Sequence, residues 1–248
     1  MATVLLVRHG RTSANTAGVL AGRSPGVELD DEGRRQAATL GERLAPVPLA
    51  GVVTSPLRRC RQTAQALLGA RTDGILSSTD AGLIECGYGE WTGRTLKELS
   101  KEKLWKTVQQ QPSAVRFPGG EAMTEMAARA VGTVRTWDAK LTTSHGEDAI
   151  WVAVSHGDVI KAILADALGT HLDTFQRILV NPASVSVVRY TATRPYVVTM
   201  NSSGGDLAAL FPPRKPAGKR ARRPRSSSDD APVGGGLGAA EVTPRPAD

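Results

Sequence analysis

Cysteine is scarce in this chain. Two residues in 248 cannot staple a scaffold of this size, and neither stands at a spacing to histidine or to the other cysteine that would hold a metal. Long apolar runs are missing too. The apolar start, residues 2–7, is too short for the core of a signal peptide, no basic residue precedes it, and no run approaches a membrane span. These absences set the expectation of a soluble protein of a reducing cytoplasm with no membrane partner. Internal repeats are absent as well. What is present is an ordinary globular mixture, 40% hydrophobic and 22% charged, which excludes fibrous repeats and wholesale disorder. The length suits one large domain or two small ones.

The balance of charge is basic, with 31 Lys and Arg against 24 Asp and Glu. Its location decides what it means. Composition changes near Phe211. Of the 37 residues 212–248, 21 are Pro, Gly, Ser or Ala, and they hold eight basic and four acidic side chains. Such a segment buries too little apolar surface to offset its ordering entropy, so it is read as a disordered tail. The run Lys219-Arg220-Ala221-Arg222-Arg223-Pro224-Arg225 can attract polyanions, but no aromatic residue is interleaved for base stacking, so nucleic acid is not the expected partner. Residues 1–211 carry 23 basic and 20 acidic residues and form the folded domain.

Within 1–211, strand and helix patterns alternate. Residues 3–7, 51–54 and 149–154 read as buried strands. Asp30 and Asp31 can cap a helix with Ala37, Leu40, Gly41 and Leu44 on one face. Ser55-Pro56 predicts a helix opening with Ser at the N-cap and Pro in the first turn, ending at Gly69. Met123, Met126, Ala127, Ala130, Val131, Val134, Trp137 and Leu141 recur at helical spacing, and a further helix spans 157–168. Residues 184–190 and 196–200 alternate and are expected to pair near an edge. This order predicts an α/β fold, a three-layer sandwich with a mostly parallel central sheet flanked by helices.

In open α/β sheets, sites form at the carboxyl ends of strands. Here those ends carry Arg8-His9-Gly10, then Thr54-Ser55 followed by Arg58-Arg59, then Ser155-His156-Gly157. Arginine offers a phosphate a planar fork of donors, and a neutral imidazole nitrogen can attack phosphorus. The glycine after each histidine would let backbone and ligand approach closely. Placement alone supports an anion-binding pocket.

At these residues the sequence resembles the histidine phosphatase superfamily, which includes the cofactor-dependent phosphoglycerate mutases. Val-Arg-His-Gly-Arg-Thr at 7–12 is similar to the family's Arg-His-Gly block. Four further blocks follow in order: 29–37 (Leu-Asp-Asp-Glu-Gly-Arg-Arg-Gln-Ala), 55–64 (Ser-Pro-Leu-Arg-Arg-Cys-Arg-Gln-Thr-Ala), 83–93 (Leu-Ile-Glu-Cys-Gly-Tyr-Gly-Glu-Trp-Thr-Gly) and 154–157 (Val-Ser-His-Gly). Pro118-Gly119-Gly120-Glu121 precedes the long helix, as in many members. The resemblance implies that His9 is the nucleophile that becomes phosphorylated, its other ring nitrogen donating to a backbone carbonyl. It implies that Arg8 and Arg59 grip the phosphoryl oxygens, that His156 hydrogen-bonds the transferring group, that Glu85 is the proton donor, and that Asn15 touches substrate. The arginines should hold His9 neutral and supply the charge that a metal supplies elsewhere, so no metal or cofactor is expected.

The remaining candidates receive blander readings. Glu90 is a rim or structural residue, Arg58 is surface, and Arg23 is an exposed loop arginine. His145 ends a helix or lies in a loop, His171 lies in a loop without a role, and Cys60 and Cys86 are small buried thiols. One departure stands out: many members have Glu where this chain has Arg11, which is expected to favour more anionic substrates. The implied activity is hydrolysis of a small phosphate ester. Its alternatives are mutase-type phosphoryl transfer, disfavoured by the short segment from Gly93 to Glu121, and non-catalytic phosphate or nucleic-acid binding. Dimers are common in the family, so a homodimer is possible, but no interface is specified here.

Overall fold

Two apolar stretches of the chain, Thr3–Arg8 (β1) and Ile150–Ser155 (β4), lie side by side in parallel at the middle of a six-stranded sheet. The structure, a computed structural model, describes residues 2–72, 74–204 and 234. The other strands are β2 (Leu49–Thr54), β3 (Ser77–Thr79), β5 (Val185–Arg189) and β6 (Tyr196–Ser202), and the order is β3-β2-β4-β1-β5-β6. The first four in that order run parallel, while β5 and β6 are antiparallel and close one edge, as the alternation predicted. The short edge strand β3 carries no apolar pattern and escaped the sequence reading. The tail assigned to 212–248 lies outside the described residues apart from Gly234.

The helices are α1 (Ser13–Thr16), α2 (Asp31–Leu44), α3 (Arg58–Gly69), α4 (Leu96–Leu99), α5 (Lys103–Gln110), α6 (Met123–His145) and α7 (Gly157–Ala167). Side chains alternate along β1, so Val4 and Leu6 pack with Met126, Val134 and Ile163 of α6 and α7. Leu5 and Val7 pack with Leu40, Cys60 and Leu67 of α2 and α3. Two helical layers therefore sandwich the sheet, and each fully buried large apolar side chain contributes about 1.5–3 kcal/mol. Asp30 caps α2, its Oδ1 accepting from Gly33 N at 2.7 Å, and Ala37, Leu40, Gly41 and Leu44 are buried as their spacing predicted. The long helix α6 ends at Gly146, whose φ of +91° suits glycine.

Two local expectations need correction. The helix after β2 opens at Arg58 with Leu57 at the N-cap, not at Ser55-Pro56. The Ser55 hydroxyl serves the turn before it, Oγ accepting from Leu57 N at 3.4 Å, and also lies 2.8 Å from His156 Nε2. Gly10, for its part, makes room for protein rather than ligand. A β carbon there would lie 2.4 Å from the Gly33 carbonyl oxygen, so glycine lets the β1 exit pass close to the start of α2.

Candidate active site

Strand register assembles the pocket. Arg8 at the end of β1 faces Ser155 at the end of β4, and Thr54 at the end of β2 faces Val154. The residues that follow, His9, Ser55 and His156, therefore meet: His9 N donates to Ser155 O at 3.0 Å and Ser55 N to Val154 O at 2.9 Å. The His9 and His156 rings stand edge to face with centroids 5.3 Å apart. His156 also occupies the N-cap position of α7, whose amide end favours negative charge.

Arg59 reaches in from the first turn of α3 and fixes both tautomers. Its Nε donates to His9 Nε2 at 3.2 Å and its Nη2 to His156 Nδ1 at 3.2 Å, while Nη2 also donates to Gly22 O at 2.8 Å. Guanidinium only donates, so the contacted imidazole nitrogens carry lone pairs. It follows that His9 Nδ1–H donates to Gly10 O at 2.7 Å and that His156 Nε2–H donates to Ser55 Oγ. Burial, aided by Arg59, pushes both imidazoles well below their ordinary value, so both are neutral. Arg59 Nη1 is buried and has no hydrogen-bond partner, a donor in need of an acceptor.

Glu85 closes another side. Its carboxylate lies 3.8 Å from His156 Nδ1 and accepts from Cys86 N at 2.9 Å. Burial, with the nearby Asp158 charge, raises it from 4.5 to about 7. Arg8 is buried at the end of β1, where Nη1 donates to Val180 O at 2.8 Å. Burial lowers it to about 10, so it stays charged at neutral pH. The buried site thus combines two neutral imidazoles, two guanidinium groups and a carboxyl group poised to gain or lose a proton, an arrangement suited to binding and transferring an anion. Among the described residues, no group of three or more His, Cys, Asp or Glu side chains is arranged to hold a metal. No described helix is long and apolar enough to cross a membrane.

The five residues His9, Arg8, Arg59, Glu85 and His156 are thus brought to one place. Asn15 is not joined to them by any of its side-chain hydrogen bonds. Its Oδ1 accepts from Thr12 N at 3.0 Å and Thr12 Oγ1 at 2.8 Å, completing a capping box for α1. Arg58 points away to Glu28 at 3.1 Å, and Glu90 is exposed. Arg11 is turned to Asp30, its Nε 2.9 Å from Oδ2, so its charge is compensated at the start of α2. His145 ends α6, and His171 stands at the start of a short 3-10 turn beside Asp173. Cys60 and Cys86 are free buried thiols that burial pushes up, Cys60 to about 12.

The profile of the histidine phosphatase superfamily (branch 1) matches residues 4–203. The chain belongs to that superfamily. A relative described as a probable phosphoglycerate mutase, GpmB of Yersinia pestis, is 30% identical over 217 residues, spanning 86% of this chain and 97% of the relative. Among solved structures, Bacillus stearothermophilus YhfR is 27% identical with a TM-score of 0.73, covering 82% of this chain and 98% of its own. A mycobacterial glucosyl-3-phosphoglycerate phosphatase solved with VO3 is 26% identical with a TM-score of 0.71, covering 81% and 98%. The histidine phosphatase sandwich with its mostly parallel sheet is therefore the fold of this chain, and its relatives are phosphatases and mutases, enzymes that act on phosphate.

Several residues of this histidine phosphatase pocket were not read from sequence. Arg129 of α6 grips the Glu85 loop, donating to Gly82 O, Ile84 O and Glu85 O at 2.8, 2.7 and 3.1 Å. Glu121 holds Arg129 in turn, at 2.7 and 3.0 Å, and also accepts from Arg23 Nη2 and from Gly87 N. Arg23, although exposed, is thus part of the same clamp, its Nε donating to Glu85 O at 2.8 Å. The signal was available in principle, because Arg129 stands three residues after Met126, on the flank of the apolar face. Asp158, buried in the first turn of α7, accepts from Tyr88 Oη at 2.8 Å and pairs with Lys161 at 3.5 Å. Nothing in its spacing announced that role.

Proposed function

We propose that this protein hydrolyses phosphate monoesters through a phosphohistidine on His9. The observation that carries the reading is the state of that ring. Nδ1–H is tied to Gly10 O, and the lone pair of Nε2 looks into a pocket lined by Arg59, His156 and Glu85. A substrate phosphoryl group takes the free Nη1 of Arg59 and the charge of Arg8, and Arg59 Nε shifts from His9 to an oxygen of the phosphoryl group. Nε2 then attacks phosphorus, the N–P bond forms and the ester P–O bond breaks. The departing alkoxide takes the proton of Glu85, whose carboxyl group is kept protonated near neutrality by burial. In the second half, Glu85 accepts a proton from water, the oxygen of that water bonds to phosphorus, the N–P bond breaks, and inorganic phosphate leaves. Trapping of acid-labile phosphate on His9, lost in His9→Ala, tests the reading. Ester hydrolysis that persisted in His9→Ala would overturn it.

A second reading, phosphoryl transfer of the mutase type, is favoured by the name of the Yersinia relative. A mutase must hold a second phosphate. In the segment from Gly93 to Glu121, Lys97, Lys101, Lys103 and Lys106 are exposed, Arg94 is paired with Glu102 and Arg116 with Glu125. This dispersal supports hydrolysis. Release of phosphate from simple esters, against isomerisation of a phosphoglycerate, separates the two readings.

A further inference from the structure

Gly234 lies in the stretch that composition assigns to a solvated tail, yet it sits against the pocket. Its carbonyl oxygen accepts from Arg8 Nη2 at 3.2 Å, and its N–H donates to Asp158 Oδ2 at 3.0 Å. Both partners are fully buried charged side chains. The position is specific for glycine. Its φ is +79°, and a β carbon would come within 3.0 Å of Leu20 Cδ1 and 3.7 Å of Tyr88 Oη. A single peptide group thereby bridges a cation and an anion that lie side by side.

We propose that Gly234 is an intramolecular ligand of the phosphate pocket, its peptide group competing with a substrate phosphoryl group for Arg8. The inference rests on the assignment of Arg8 to phosphate made above. A neutral carbonyl is a weaker acceptor for guanidinium than a phosphate dianion, so substrate displaces the glycine rather than being shut out. The occupied fraction then raises the apparent KM and leaves kcat alone, because the bound glycine is gone once substrate is in place. The acceptor of the glycine N–H, Asp158, lies two residues beyond His156, which ties the occupancy directly to the catalytic end of α7.

The test uses the full chain. Gly234→Val cannot adopt the backbone conformation without strain and meets Leu20, and Gly234→Pro also removes the N–H that Asp158 accepts. Because Gly235 and Gly236 follow, a third variant changes all three glycines to Val, so that no neighbour can take the same seat. The readouts are KM and kcat for p-nitrophenyl phosphate and calorimetric binding of inorganic phosphate. In all three variants KM and the phosphate Kd are expected to fall together, by roughly three- to tenfold, with kcat unchanged. Values unchanged or weakened in the triple variant would overturn the inference. If the unaltered protein hydrolysed no phosphate ester, the hydrolase reading would fall by itself. The phosphate titration would still decide this one: tighter binding in the variants supports a competing glycine, and unaltered binding removes it.

Discussion

Two regions of this molecule are equally hidden from water and opposite in chemistry. Under α6 and α7, Leu6, Met126, Val134, Trp151 and Ile163 are buried together, and hiding them is itself the stabilising event. At the carboxyl ends of β1, β2 and β4, an equal degree of burial covers Arg8, His9, Arg59, Glu85, His156 and Asp158. There it is costly, since each group has given up water. Internal partners offset much of that cost but not all of it. Arg59 Nη1 lacks an acceptor, Glu85 is pushed up to about 7, and both imidazoles are pushed down. The comparison teaches that the apolar layers supply the stability with which the pocket holds its groups in protonation states that water would not favour.

The division can be broken most sharply at His9. His9→Ala should lower kcat/KM for phosphate esters by roughly 1000-fold or more, because the covalent route is gone. Its melting temperature should change little, since the side chain contributes few apolar contacts. Met126→Ala is the mirror image. It should cost about 2–5 kcal/mol in denaturant unfolding, through lost burial and the cavity left behind, while kcat in the folded protein stays within about twofold. An activity loss without unfolding in Met126→Ala would show that core and pocket are not separable.

The same contrast explains what the sequence made legible. Apolar periodicity is a property of single elements, so β1, β4, α2, α6 and α7 could be read one at a time, together with the burial of Leu40 and Met126. The five pocket residues were legible for a different reason: each follows a strand or stands in an ordered block similar to those of a known family. What stayed hidden depends on contacts between distant elements. The clamp of Arg129 on the Glu85 loop joins residues 44 positions apart. The Ser55 hydroxyl looked like a helix cap because its partner, His156, lies 101 residues away. Asn15, expected to touch substrate, is also a sound local cap, and it is the cap that its side-chain bonds describe.

Arg129 sharpens the comparison from the side of positioning. It touches carbonyls of the Glu85 loop rather than the pocket itself, so Arg129→Met should lower kcat by about tenfold with little change in KM. It should also distort the pH profile, since the environment of Glu85 changes. In the unaltered protein, kcat/KM for an alkyl phosphate should fall as pH rises through about 7, where Glu85 loses the proton that the leaving group needs. Glu85→Gln should be slower by about 100-fold and lack that descending limb. A stability consequence accompanies it. The folded value lies above the ordinary 4.5, so the native state keeps a proton that the unfolded chain releases between 4.5 and about 7, and stability falls as pH rises across that window. The melting-temperature advantage of Glu85→Gln should therefore be larger at pH 8 than at pH 5.

The smallest effect is expected at Arg11, which stands where many members of the family have Glu. By charge alone, an arginine two residues beyond His9 would draw more anionic substrates. The geometry argues for a weaker influence. The Arg11 guanidinium is bound to Asp30, which also caps α2 through Gly33, and about a quarter of its side chain remains exposed to screening solvent. Arg11→Glu sets two carboxylates beside each other at that cap, which should cost about 1 kcal/mol of stability. The ranking of anionic and neutral phosphate esters, measured as relative kcat/KM, should stay within about twofold, because the lost charge was already compensated before any substrate arrived. A shift of tenfold toward neutral esters would place Arg11 within the field of the pocket and move the boundary between the charged site and its scaffold outward by one ion pair.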